Sequence, residues 1–147
     1  MIKHKNNGHC EKCLQIINRY PNFNALLLDW FQDFQEFHPE FHVSCGGRGE
    51  ADQEEKKREK KSRASFGESA HNYNCAIDLF INGGDHELYD EEWFQAVLGP
   101  IIPSFLEWYG RPEYKDDKSK YFELPHIEIR AWRLLRDKGM LRLVGDK

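Results

Sequence analysis

Between residues 23 and 37 apolar side chains return at helical spacing. Phe23, Leu27, Trp30, Phe31 and Phe34 share one side, while Asp29, Gln32, Asp33 and Glu36 face away. The pattern predicts a helix over 23–37 with Asn22 or Asn24 as its N-cap, and its aromatic stripe reads as core. A shorter helix over 10–19, carrying Leu14, Ile16 and Ile17, precedes it across Tyr20-Pro21-Asn22. After Pro39 the run Phe41–Cys45 reads as a strand, and Gly46-Gly47-Arg48-Gly49 turns the chain into a charged helix over 50–63. From Cys75 to Ile81 the period changes to two. Ala76, Asp78 and Phe80 lie on one face and Cys75, Ile77, Leu79 and Ile81 on the other, before a break at Asn82-Gly83-Gly84.

Downstream the pattern predicts a helix over Glu91–Leu98, resuming helically over 101–108 past Pro100 or Pro103, and then a charged loop over 110–120. Alternation returns over 121–130, with His126, Glu128 and Arg130 on one face and Ile127 and Ile129 on the other. A closing helix over 131–138 stops at Gly139. Helices and short strands in this order predict an α+β fold: one compact domain, 1–147, with a small, largely antiparallel sheet flanked by helices. Residues 1–8 are polar and expected to fray.

Composition narrows the function. A chain of 147 residues with 39% hydrophobic and 14% aromatic content is long enough for one real core. No apolar run reaches the roughly eighteen residues a membrane span requires, and Met-Ile-Lys-His-Lys-Asn-Asn-Gly at the start has no apolar signal core. The net charge of −4 gives no general reason to expect nucleic acid. In the 50–63 helix, acids at the start (Glu50, Asp52, Glu54, Glu55) and bases at the end (Lys56, Lys57, Arg58, Lys60, Lys61, Arg63) read as a solvated face. The four cysteines, Cys10, Cys13, Cys45 and Cys75, read as thiols.

The chemistry gathers around Asp78. A carboxylate in an apolar strand with no neighbouring Lys or Arg needs a cation, strong hydrogen-bond donors or a wet cleft. His71 lies seven residues before it, and Glu123-Leu124-Pro125-His126 offers a second imidazole on a strand and a carboxylate in the turn before it. Two histidines, one carboxylate and an open position make a catalytic zinc site, and a carboxylate that does not ligate can move protons there. Taken singly, each residue has an ordinary structural reading: a loop or core histidine, a hydrogen-bonded aspartate, a turn glutamate. Glu128 either orients His126 or pairs with Arg130. A structural zinc at Cys10-x-x-Cys13, near His4 and His9, is disfavoured, because no second Cys-x-x-Cys or His pair follows at finger spacing. His38, His42 and His86 read as surface or core-edge residues. Trp93, Trp108, Trp132 and Tyr109, Tyr114 and Tyr121 read as core or cleft wall.

Taken together these blocks resemble a family. Ser69-x-His71-x-x-Asn74-x-Ala76-x-Asp78 is similar to the Ser-x-His-x-x-Gly-x-Ala-x-Asp signature of zinc peptidases acting on bacterial cell-wall peptides. These comprise D-alanyl-D-alanine carboxypeptidases, vancomycin-resistance dipeptidases and phage endolysins that cleave L-alanyl-D-glutamate bonds, with the hedgehog domain as a fold relative. Glu123-x-x-His126-x-Glu128 resembles the second motif of that family, and Val43-Ser44-Cys45-Gly46-Gly47-Arg48, followed by Gln53, its strand-turn segment. The resemblance implies His71, Asp78 and His126 as zinc ligands, Glu123 as general base and Arg48 at the oxyanion or a substrate carboxylate. Ser69, Glu128 and Trp132 are expected around the ligands or along the cleft. One departure stands out: Asn74 occupies the Gly position, where Asn is the next-best residue for a left-handed backbone.

The expected function is therefore a zinc-dependent peptidase of peptidoglycan stem peptides, an L-alanyl-D-glutamate endopeptidase of phage endolysin type with one catalytic Zn2+. Such an enzyme is expected to be a monomer that accumulates in the host cytoplasm and reaches the wall when the inner membrane opens, without membrane insertion. The alternatives are a D-alanyl-D-alanine carboxypeptidase or dipeptidase, and a non-catalytic metal- or wall-binding module of the same fold.

Overall fold

The computed structural model describes residues 10–83, 85–119 and 121–145, so the expected fraying of residues 1–8 lies outside the described residues. Its first helix, α1, spans Glu11–Ile17 and buries Cys13 and Ile17. The aromatic stripe becomes α2, Ala25–Phe37, whose N-cap is Asn24: its side-chain oxygen accepts from Leu27 N–H at 3.0 Å. Asn22 takes a left-handed φ of 68° in the preceding turn. Helix α3 covers only Glu50–Arg58 of the predicted 50–63, because Lys60, at φ 60°, turns the chain out of the helix. This early stop frees Lys61 and Arg63 from the helix face.

Among the described residues four strands form one antiparallel sheet: β1, Phe41–Cys45; β2, Ala76–Ile81; β3, Leu106–Trp108; and β4, His126–Ile129. Their spatial order is β1-β2-β4-β3. The α+β class and the small antiparallel sheet are as the patterning predicted. Helix α4, Glu91–Leu98, is capped by Asp90. Helix α6, Trp132–Asp137, is followed by Gly139 at φ 72°, a backbone conformation few other residues adopt. Between these layers Phe41, Val43, Ile77, Leu79, Ile81, Phe94, Leu98, Leu106, Trp108 and Ile127 are buried in one core.

Three expectations are corrected here. Residues 101–108 do not resume a helix. Pro100 and Pro103 keep the chain in turns, and Leu106 and Trp108 alternate around Glu107 as a three-residue strand against β4. Within the 110–120 loop, Pro112 starts a one-turn helix, α5, Pro112–Asp116. His42, read as a surface or core-edge residue, is 0% exposed, because α1 packs over β1.

The register sets up the site. Asp78 on β2 pairs with Cys45 on β1 and with His126 on β4, and Ala76 pairs with Glu128. A one-residue slip of β2 would turn Asp78 to the other face.

Candidate metal centre

Ser69 begins the construction. Its Oγ accepts from His71 N–H at 3.2 Å, and with Asn72 it forms a capping box on the 3-10 turn Ala70–Tyr73. Ser69 therefore positions His71 through the backbone. Asn74 closes the turn in the left-handed region (φ 57°, ψ 34°), as expected for Asn at this position. Its side-chain nitrogen donates to Pro21 O at 2.9 Å, and its Oδ1 lies where a Cβ on Gly47 would be. The Asn in place of Gly thus depends on Gly47 lacking a side chain. Gly47→Ala is expected to cost about 1–3 kcal/mol of stability, as overpacked sites do. Asn74→Gly in the same chain should recover most of it, which a double-mutant cycle by chemical denaturation measures.

The imidazoles converge on Asp78. His71 Nδ1–H donates to Gly46 O at 2.7 Å, which directs Nε2 toward Asp78 Oδ1, 3.3 Å away. His126 places Nδ1 3.1 Å from the same oxygen, while its Nε2 meets Glu128 Oε1 at 2.7 Å. Glu128 is itself held at Oε2 by Tyr109 O–H and by Trp132 Nε1–H, both at 2.9 Å. The choice left open for Glu128 resolves toward His126, since Arg130 pairs with Glu107 at 2.7 Å instead. Trp132, on the cleft wall, acts on His126 through Glu128. Each imidazole thus has one nitrogen held by an acceptor and the other aimed at a shared carboxylate oxygen. That donor set fits zinc.

Glu123 sits in the turn before β4, its backbone N–H donating to Tyr109 O at 2.9 Å. Its carboxylate, one oxygen of Asp78 and a ring nitrogen of His126 all lie within 4.8 Å of one another. Arg48 lies over Asp78, with Nη2 3.7 Å from Oδ2. Gln53 Oε1 accepts from Arg48 Nη1 at 3.2 Å, and Asn72 Nδ2 donates to both Gln53 Oε1 and Arg48 O. Arg48 Nε is buried without a hydrogen-bond partner among the described residues.

Sequence reasoning missed two features. Cys45, read only as a thiol, is grouped with His71 and Asp78 within 4.8 Å, and Arg48 Nη2 donates to its Sγ at 3.4 Å. Burial raises this thiol, but His71 and Arg48 outweigh that and bring it below its ordinary value. Its place beside Arg48 in the Cys45-Gly46-Gly47-Arg48 run was the available signal. The second feature is the cleft itself, which encloses about 390 Å3. Lys56, Lys61, Arg63 and Arg133 line it together with His71, Asp78, Glu123 and His126. Part of the charge run read as a solvated face is therefore a cationic cleft wall.

Burial pushes both imidazoles down, yet Asp78 outweighs it and lifts His71 to about 10; with Glu128 helping, it lifts His126 to about 9. Burial likewise raises Asp78, but the two imidazoles hold it well below the usual carboxylate range. In the metal-free protein both rings are therefore protonated at neutral pH and must lose their protons to ligate. Apparent zinc affinity should rise with pH from about 7 to 9 with a slope near two, one proton per imidazole. Calorimetric titration in buffers of different ionisation enthalpy counts those protons.

No family profile matches the chain, and no curated protein matches it. Among solved structures it is similar to the L-Ala D-Glu endopeptidase ChiX of Serratia marcescens, with a TM-score of 0.60. That match has 18% identity and covers 83% of this chain and 89% of ChiX. This chain has the ChiX fold. It is also similar to VanYB, solved in complex with D-alanine-D-alanine, with a TM-score of 0.54 and 17% identity over 80% of this chain and 78% of that one. On this shared fold, the sheet register brings Asp78 and His126 together at the floor of the cleft.

Proposed function

We propose that this protein is a zinc-dependent peptidase of peptidoglycan stem peptides, cleaving the L-alanyl-D-glutamate bond as a phage-type endolysin does. The observation that carries the reading is the convergence of His71 Nε2 and His126 Nδ1 on Asp78 Oδ1, with Glu123 alongside, at the floor of a cleft on the ChiX fold. His71, Asp78 and His126 would hold the metal. When bound, zinc supplies a Lewis acid at the scissile carbonyl and acidifies water there.

The chain's own residues do the rest. Burial raises the Glu123 carboxyl, a shift that Asp78 reinforces and His126, His71 and Arg48 oppose, leaving it above its ordinary value, the direction that favours a group which must both take and return a proton. Glu123 takes one proton from the attacking water as its oxygen adds to the carbonyl carbon. It then returns that proton to the leaving amine nitrogen as the C–N bond breaks. The Arg48 guanidinium, held by Gln53, faces the charge that develops on the carbonyl oxygen. Lys56, Lys61, Arg63 and Arg133 suit a substrate rich in carboxylates, as a stem peptide is. Glu128 keeps His126 in place, with Tyr109 and Trp132 fixing its other oxygen.

The likeness to VanYB with its bound D-alanine-D-alanine favours carboxypeptidase action as the second reading. Digestion of purified peptidoglycan, with new termini mapped by mass spectrometry, separates the two. New N-terminal D-Glu is the expected product, and released D-Ala would favour the second reading. Zinc-loaded protein that releases neither from several wall types would overturn both.

A further inference from the structure

Away from the cleft, a second group of metal-binding side chains comes together. Cys10, Cys13 and His42 are each 0% exposed. Each offers one donor atom within 4.8 Å of the other two, with Cys13 Sγ 3.6 Å from His42 Nδ1. Spacing along the chain argued against a metal at Cys10-x-x-Cys13 because no second ligand pair follows. The fold brings the missing donor from β1 instead, twenty-nine positions beyond Cys13.

The surroundings suit sulfur that carries negative charge. Cys13 N–H donates to Cys10 Sγ at 3.4 Å, and Val43 N–H donates to Cys13 Sγ at 3.4 Å. Gln35 Nε2, reaching in from α2, lies 3.5 Å from Cys13 Sγ while it donates to Phe41 O at 2.8 Å. Hydrogen bonds to an ionised acceptor are about twice as strong as those between neutral groups, so these donors favour thiolate over thiol. Two thiolates and a neutral imidazole cancel the charge of a divalent ion, so the loaded cluster is neutral and tolerates burial. Without a metal, burial pushes the Cys13 thiol up to about 12, so uptake has to release that proton.

We propose that Cys10, Cys13 and His42 hold a structural zinc ion that fastens α1 to β1. A closed tetrahedral site takes a fourth donor beyond these three. The far end of β1 carries Cys45, which pairs with Asp78, so this zinc secures the strand that frames one side of the cleft. Its removal should loosen the fold rather than the chemistry.

The test separates this ion from the one in the cleft. The full-length Asp78→Asn, Cys45→Ser chain lacks the Asp78 carboxylate on which both imidazoles converge and the cleft thiol, and it is loaded with Co2+. About one cobalt per chain is expected, with thiolate-to-cobalt charge-transfer absorption in the near ultraviolet and ligand-field bands of tetrahedral intensity. Adding Cys13→Ser should abolish the charge-transfer absorption, and zinc should displace the cobalt. A strong chelator should lower the thermal midpoint of the parent double variant. If the triple variant does not fold, the double variant still decides. No thiolate absorption at saturating cobalt would overturn the proposal, as would a Cys10–Cys13 disulfide in protein purified under reducing conditions. Neither outcome depends on whether the cleft is a peptidase site.

Discussion

Glu123→Gln is expected to keep its full complement of cleft metal while losing turnover of peptidoglycan by about 10²–10⁴-fold, the range for loss of a general acid–base group. Gln has the shape of Glu, and the backbone of this turn is tied independently: Glu123 N–H bonds to Tyr109 O, and His126 N–H to Glu123 O at 3.3 Å. The substitution therefore removes a proton acceptor with little change of structure. Metal analysis beside kinetics makes the result diagnostic. The Glu123 carboxylate lies close enough to Asp78 and His126 to be a ligand itself. A ligand role would cost metal along with activity, whereas a base role costs activity alone. Retention of parent turnover would remove Glu123 from the mechanism altogether.

Asp78→Asn should have the other large effect, and on a different quantity. The variant is expected to lose the cleft metal, because Asp78 Oδ1 is the atom on which both imidazoles converge. In the metal-free protein the pKa values of His71 and His126 should also fall, since Cys45 beside His71 and Glu128 beside His126 are then left to oppose burial without Asp78. Histidine NMR titration in the presence of chelator follows this directly. The sign for stability follows from linkage. In the metal-free parent the folded-state values lie above the unfolded ones, so the stabilisation is complete below about pH 6.5 and is lost as pH rises through 9 to 10. In Asp78→Asn that stabilisation shrinks, and the loss is felt most at acid pH, where the parent has it in full. Breaking a buried pair costs about 3–5 kcal/mol when the surviving charge stays buried. The penalty should therefore be largest at about pH 5 and smaller at pH 8, where the parent has already lost part of that stabilisation. Urea unfolding at both pH values, with chelator present, measures it, and equal losses at both would contradict this assignment.

Much of this was legible in the chain because the physics was local. The aromatic stripe of α2 meets its core at the spacing it displays, and Asn24 caps it within one turn. Asp78 was conspicuous because an unpaired carboxylate does not belong in an apolar strand, and the structure surrounds it with His71, His126 and Arg48. What escaped depended on tertiary contact. Strand β3 has three residues between proline-bearing turns and the Gly110 break, too few to show a period, and it exists because β4 pairs with it. His42 is buried because α1 lies over β1, which nothing near His42 signals. Lys61 and Arg63 reach the cleft because α3 ends at Arg58, and helical periodicity placed them on the wrong face. Glu128 had two candidate partners at equal sequence distance, and the fold takes Arg130 away to Glu107.

The most direct measurement of the whole account is the release of soluble stem-peptide fragments from purified peptidoglycan by one preparation in three states: as isolated, stripped with chelator, and restored with zinc at two equivalents per chain, enough for the cleft and for the Cys10, Cys13 and His42 group. Cleavage should stop in the stripped protein and return with zinc, while Asp78→Asn stays inactive at the same zinc concentration. If the stripped protein cleaves as fast as the isolated one, or Asp78→Asn responds to zinc as the parent does, His71, Asp78 and His126 do not form the centre on which the reaction depends.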